Sequence, residues 1–503
     1  MSAVAKGKVE LRSSEVYLEE EGREPIVFEL STIEPIGNAK NQPYVPLKPA
    51  TMDSTPLIHL DYTLYELYSV DNEDWPNITL VYSFMEESAV KFTYQYELQE
   101  TQKTAEPSVM LDTKLKPQRH GFIAGKMPLA ILYAGSQCND QALDTLRADN
   151  ADVFRNFAQL PSRQQPIVSF ATSSESISVG PGAQIAVMFP ADCVLHLPHL
   201  VDPEIHYELL SKPGLAMSGL PTPPSEVIDT VLTPHDVHDQ DLLKGEISRI
   251  TQLLDNHELP FVLKLPQSAS GMGVFKVDTD AQRADVKATL ATQLGRMLQQ
   301  INESNHHMRP CSLVIQRFIP GTTMGLSLFV TKKGRPIFIA CCDQQLDKDG
   351  HWVGCSISYK RQPEFKEAYR DLSEKVAAFL HQKGYYGPVG LDVITDASGH
   401  QYIVDLNARV TGSYHLGPLA GHFLQRGLLE VTFVQAYFLY SRGAFEAAFS
   451  DEIQKGSLVI SGWAHAESTP LSQAAINIGG RDSSEVEETL KKIRDLAVPD
   501  RTM

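Results

Sequence analysis

Asp392, Asp405 and Asn407 give the sharpest chemical signal in the chain. They lie in two β-rich runs, 390–395 and 400–409, on either side of the turn Asp396-Ala397-Ser398-Gly399. Asp and Ser bond their own backbone and Gly tolerates positive φ, so the segment reads as a hairpin. With 396–399 as the loop, Thr395 pairs with His400 and Asp392 with Ile403. Side chains alternate along a strand. This register puts Asp392, Asp405 and Asn407 on one face, and Leu391, Val393, Tyr402, Val404 and Leu406 on the other, buried one. Like charges facing one another across strands repel. A hard divalent cation such as Mg²⁺, which takes oxygen ligands, removes that repulsion. Taken alone, the hairpin is equally compatible with a solvated acidic face.

The elements upstream of it weigh on that choice. Residues 261–266 read as a strand carrying one charge, Lys264, followed by the small-residue loop 267–273 and the return strand 274–277. A strand, a Gly/Ser loop and a strand let backbone N–H groups approach a phosphate closely. The order is not that of a P-loop, since the lysine precedes the glycines. Lys212 lies ahead of a Gly- and Pro-closed segment, 213–224. Residues 313–319 form a strand ending in Pro320-Gly321, and 326–330 and 336–340 continue an antiparallel pattern. Phe365, Tyr369, Leu372, Val376 and Phe379 recur at helical spacing up to Gly384 and mark core. A last amphipathic helix is expected over 485–496.

At 503 residues the chain is long enough for about three or four packed units. Its 42% hydrophobic and 21% charged residues describe a soluble globular protein. A net charge of -18 argues against nucleic acid and anionic membrane as partners. No apolar run approaches the roughly 18 residues of a membrane span, and no signal peptide is apparent. The six cysteines lack disulfide or metal spacing, as expected of reduced thiols in the cytoplasm. The texture divides into a β-rich region over 1–120, with strands expected at 79–84 and 90–96, and an α/β unit over 121–204. A third unit, 205–440, carries the chemistry, and 441–503 reads as a C-terminal extension.

Lys212, the Lys264 loop, the 316–319 strand end and the Asp392…Asp405-x-Asn407 hairpin occur in an order that resembles the ATP-grasp ligases, over roughly 205–415. The resemblance implies an α/β and α+β multidomain protein: an ATP-grasp fold of two subdomains, a preceding α/β domain and an extra β-rich N-terminal region. It implies ATP phosphate contacts from Lys212 and Lys264, with Ser268, Ser270, Gly271, Met272 and Gly273 as the loop over them. Gln316, Arg317, Phe318 and Ile319 would be the adenine hinge, with Thr323 where many members carry a ribose-binding Glu. Asp392, Asp405 and Asn407 would hold one or two Mg²⁺, or Mn²⁺. Arg409, with Lys264, would neutralise charge on the transferring phosphoryl group.

The implied activity is that of an ADP-forming carboxylate–amine ligase acting on small molecules through an acyl phosphate. A non-catalytic ATP-binding or scaffold protein, and an enzyme using another nucleophile, are the competing readings. His415 is a candidate base, and Arg361 and Ser413 are candidates for contact with the acid. A homo-oligomer is compatible with the sequence. Asp405 in place of a frequent Glu, and Gln316 in place of another, depart from the pattern.

Overall fold

A computed structural model of the chain describes the backbone of strands 8–12, 15–19, 26–30 and 47–49. It also describes residues 58–72, 77–82, 90–94, 107–132, 151–268, 271, 273–346, 352–466 and 471–498. The first four strands, β1 (Lys8–Arg12), β2 (Glu15–Glu19), β3 (Ile26–Leu30) and β4 (Leu47–Pro49), form an antiparallel sheet in sequential order.

A second sheet is parallel. It contains β5 (Ile78–Tyr82), β6 (Pro128–Leu132), β7 (Ile167–Ala171) and β8 (Gln184–Val187), in the order β7-β6-β5-β8. In β6, Leu129 to Leu132 are buried on both faces, as a central strand of a parallel sheet requires, whereas in β8 Ile185 is buried and Ala186 and Val187 are partly buried. The boundary expected at 120 does not hold, because β5 sits inside this sheet. Residues 90–92 bend and 93–94 are irregular where a strand was expected, and 83–84 and 95–96 lie outside the described residues.

The third sheet has the order β11-β10-β12-β9, from β9 (Ser225–Ile228), β10 (Phe261–Lys264), β11 (Val274–Val277) and β12 (Leu313–Arg317). The helices Gln240–Leu253 and Asp280–Gln299 bury one side of it, with Leu263, Ile250, Leu294 and Leu313 in the shared core. A capping box between Thr279 and Gln282 starts the second helix.

The fourth sheet has eight antiparallel strands: β13 (Thr322–Val330), β14 (Pro336–Leu346), β15 (Trp352–Ser358), β16 (Gly387–Thr395), β17 (Gln401–Asn407), β18 (Glu430–Phe438), β19 (Leu458–Ala466) and β20 (Leu471–Gly480). Their order is β17-β16-β13-β14-β15-β18-β20-β19. A boundary at 440 would therefore cut a continuous sheet. The expected core helix divides at Tyr369 into Gln362–Ala368 and Arg370–Gln382. It buries Phe365, Leu372 and Val376 against Leu326, Leu391 and Val393. The last helix, Ser483–Leu496, covers β18 and β20. No described helix is long and apolar enough to cross a membrane.

Candidate active site

The hairpin β16–β17 differs from its expected register by one residue, and a bulge then widens the offset to two, which restores the expected faces but not the expected pairs. Thr395 pairs with Gln401 and Val393 with Ile403, after which Val404 is skipped and Asp392 faces Asp405 directly. Beyond the bulge Leu391 pairs with Leu406 and Gly390 with Asn407. Ile403, not Tyr402 or Val404, is the buried residue on the core face. A bulge inserts one residue on one strand and so resets which face the later side chains take. Asp392, Asp405 and Asn407 share a face because of it.

Two lysines converge on this face from different elements. Lys212 begins the short helix Lys212–Ala216, capped by Ser211, and its backbone N–H donates to the Pro266 carbonyl at 2.8 Å. Its ammonium donates to Asp405 Oδ1 at 2.5 Å and is 5% exposed, against 23% for the aspartate. Lys264, at the end of β10, donates to the Val404 carbonyl at 2.5 Å, the group that the bulge turns out of the ladder. Burial pulls the Lys264 ammonium down to about 8; the Asp405 charge opposes that shift and Lys212 adds to it. Burial works against ionisation of Asp405, but Lys212, by charge and hydrogen bond, then Lys264 and Arg409, hold its carboxyl below the usual range. Asp392 is pushed up by burial and by the facing Asp405 charge.

Gln344 on β14, which the sequence reading missed, donates through Nε2 to Asp392 Oδ1. Gly325, opposite Asp392 on β13, leaves room for that side chain: a Cβ there would lie 3.2 Å from Gln344 Nε2. Asn407 Nδ2 donates to Asp405 Oδ2 at 3.3 Å. Arg409 Nη2 donates to Asn407 Oδ1 at 2.8 Å, and Nη1 to the Val410 carbonyl at 3.3 Å.

The loop after β10 needs its glycines. Gly271 (φ 82°) and Gly273 (φ 71°) are both left-handed, and a Cβ at Gly273 would meet Leu265 and Ser268 at 3.1 Å. Ser268 is buried at its start, whereas Ser270 and Met272 lie outside the described residues. At the expected hinge, the Gln316 side chain is buried and donates to Ser225 Oγ at 3.0 Å, so it holds β12 to β9. The Arg317 backbone N–H is taken by the Pro224 carbonyl at 2.9 Å, which removes it as a base-pairing mimic. Phe318 carries the Lys276 ammonium 4.4 Å over its ring, Ile319 is buried, and Thr323 pairs with Ile394.

Three expected residues sit apart from this cluster. His415 is buried, with Nε2 2.6 Å from Asn477 Oδ1 and its ring edge-on to Phe433. Burial, then the nearby Arg119, hold it neutral down to about 3, so it does not suit a base working near neutral pH. Arg361 is half exposed, stacked on Phe365 at 4.3 Å and paired with Glu364. Ser413 accepts the Leu416 backbone N–H through its carbonyl at the start of a 3₁₀ turn.

The buried neutral histidine has a consequence for stability. The unfolded chain protonates His415 near 6.5, but the folded chain does not until about 3. Its contribution is complete above 6.5 and is lost as pH falls through that window, at about 1.4 kcal/mol per pH unit. His206, lowered to about 4 by burial, acts in the same direction. The urea midpoint is expected to drop between pH 7.5 and 5.0; an unchanged midpoint would refute this.

Residues 251–413 match the family model of the ATP-grasp domain. The chain carries an ATP-grasp domain. The match takes in Lys264 and its loop, β12, the β16–β17 hairpin and Arg409, whereas Lys212 lies before it. Among solved structures, the chain is similar to the ADP complex of N5-carboxyaminoimidazole ribonucleotide synthetase, at 11% identity and a TM-score of 0.46, over 76% of this chain and 93% of that one. It is also similar to the biotin carboxylase complex from Campylobacter jejuni, at 10% identity and TM-score 0.44, over 84% and 91%. A third is the L-amino acid ligase from Bacillus licheniformis, at 11% and 0.44, over 84% and 98%. A search of the curated proteins gives no match.

Within the ATP-grasp domain, the donor set suits a hard divalent cation. Asp392 and Asp405 face each other at close quarters, with Asn407 on the same side. Among the described residues no group of three or more His, Cys, Asp or Glu converges. The chain thus offers two carboxylates and an amide, with further positions falling to phosphate and water.

Proposed function

We propose that the chain is an ATP-dependent ligase that activates a carboxylate as an acyl phosphate and couples it to an amine, releasing ADP and phosphate. The observation that carries this reading is the buried cluster in which Lys212 and Lys264 meet Asp405, Asp392 and Asn407, with Arg409 one residue beyond Ala408.

Phosphoryl transfer needs positioning and charge neutralisation more than covalent help. Lys212 and Lys264 hold their ammonium groups against Asp405 and the Val404 carbonyl, so both are already oriented toward the hairpin. Each exchanges that contact for a phosphate oxygen when ATP enters, and Asp405 is released as Lys212 turns away. Asp392, Asp405 and Asn407 would hold one or two Mg²⁺, or Mn²⁺ in its place, which would supply further charge neutralisation at the phosphates. Gln344 keeps Asp392 turned into the site throughout. Arg409 stabilises the charge that builds on the phosphoryl group as the substrate carboxylate attacks. The acid and amine are small molecules. Cys311, Cys341, Cys342 and Cys355 are buried free thiols, which supports a cytoplasmic location.

The test is a screen of acid and amine pairs by phosphate release, with mass detection of the product. ADP and phosphate are expected only when both substrates are present. Release of AMP and pyrophosphate would overturn the reading, as would ATP binding with no turnover across a wide panel.

A further inference from the structure

We propose that Phe189, in the parallel-sheet unit, is a positioning residue for Arg409. The inference rests on the nucleotide-binding role proposed above for the ATP-grasp domain. Phe189 follows the end of β8 by two residues, and its ring lies under the Arg409 guanidinium, 4.8 Å from Cζ to the centroid. A guanidinium is planar, with donors along its edge and an attractive face. Asn407 Oδ1 and the Val410 carbonyl take two of the edge donors. Those bonds are made along the edge and lie in the plane of the group, so they do not bear on its face. The Phe189 ring lies against that face and adds a restraint in the direction the edge bonds do not supply.

The ring is itself held by a second aromatic residue. Tyr94 meets it edge-on at 5.6 Å and 74°, and the Tyr94 hydroxyl donates to the Pro190 carbonyl at 2.7 Å. Tyr94 in turn packs against Tyr207 at 5.6 Å, whose hydroxyl donates to the Thr93 carbonyl at 2.7 Å. Asp192 fixes the preceding backbone, accepting from the N–H groups of Val90, Lys91 and Phe92 at 2.7, 2.8 and 3.0 Å. A residue outside the ATP-grasp match is therefore braced through Tyr94, itself held by its neighbours, and applied to a group inside the match. Such bracing is what holds a charged group in one orientation rather than several.

The readout is nucleotide discrimination, because Arg409 is placed to meet the phosphoryl group that ATP has and ADP lacks. Titration calorimetry on the full chain with Mg²⁺ compares the β,γ-imido analogue of ATP with ADP for wild type, Phe189→Leu, Phe189→Tyr and Arg409→Ala. Phe189→Leu is expected to weaken the ATP analogue by about fivefold to tenfold and to change ADP by less than about twofold, while Phe189→Tyr keeps the wild-type ratio. The proposal is overturned if Phe189→Leu leaves the ratio unchanged while Arg409→Ala lowers it. Equal weakening of both nucleotides also overturns it, since that is the mark of a general packing defect. If neither Phe189→Leu nor Arg409→Ala moves the ratio, the proposal falls and nucleotide binding stands. If wild type binds neither nucleotide, the nucleotide-binding reading falls with it.

Discussion

Replacing Asp405 by Ala is expected to abolish ATP-dependent phosphate release and also to weaken the fold, and the two losses have separable causes. Asp405 is the partner of Lys212, whose side chain is 5% exposed. Removing one member of a buried pair leaves the other charge uncompensated, a cost of roughly 3 kcal/mol. Lys264 loses the nearby negative charge that favours its ionised form, which adds to the cost. A lower urea midpoint checks this part. Asp405→Asn retains an oxygen and the side-chain volume, so its stability loss is smaller, but it removes the charge proposed for cation binding. Its phosphate release is expected to fall by on the order of 10³-fold. The double variant Lys212→Met with Asp405→Leu replaces both charges by apolar groups. It is expected to recover most of the stability and none of the turnover. Activity in the double variant would show that neither side chain belongs to the chemistry.

The site was readable from the sequence wherever a side chain's role is fixed by its neighbours along the strand. The hairpin turn, the two carboxylates and the small-residue loop are local patterns. The bulge at Val404 is not, because nothing in Tyr402-Ile403-Val404-Asp405 signals that the ladder skips a residue there. The expected grouping of Asp392, Asp405 and Asn407 survives because the register offset at Thr395 and the skipped Val404 act in sequence along one ladder. Gln344 was not legible either. It reaches Asp392 across β13, through the space left by Gly325, and strand order in a sheet is a long-range property. Gln316 and His415 illustrate the opposite error. Gln316 at a family position, and His415 from its nearness to Arg409 along the chain, were given roles that depend on exposure, and exposure is decided by packing: against Ser225 in the first case, against Asn477 and Phe433 in the second.

Fold class followed from texture, with apolar runs for the parallel sheet and alternating runs for the antiparallel ones. Unit boundaries did not, because a strand's sheet membership is set by partners far away in the chain. β5 joins β6 and β8, with the helix Pro107–Gly121 in between. That helix is fastened to the far edge of the large sheet. Gln118 Nε2 donates to the Trp463 carbonyl at 2.7 Å and Gln118 Oε1 accepts the Trp463 N–H at 3.1 Å. The segment read as a C-terminal extension thus completes the large sheet and the core beneath it.

The same attachment leads to the second large effect, a stability loss on replacing Glu446 by Ala with no change in any group that meets nucleotide. Glu446 lies on the helix Arg442–Ala448 and takes Arg155 from the helix Ala151–Ala158 on one oxygen. Its other oxygen accepts Arg442 Nε at 2.9 Å. Both arginine side chains are buried, at 8% and 2% exposure. Arg442 also donates to the Asp152 carbonyl at 3.3 Å, which ties the two helices together a second time. Taking out the carboxylate removes the counter-charge shared by two buried guanidinium groups, and the Asp152 carboxylate, 3.9 Å from Arg442, offsets only part of a cost of about 3 kcal/mol. Because the network joins elements almost 300 residues apart, the loss is expected to appear as lower hydrogen-exchange protection in 151–158 and 442–448 together. Glu446→Gln, which keeps an acceptor, is expected to lose less. A triple variant with Met at 155 and 442 and Leu at 446 removes all three charges and is expected to regain most of the urea midpoint, since an apolar set of similar volume avoids the desolvation cost. If Glu446→Ala leaves the midpoint unchanged, the segment beyond 440 is not held by this network.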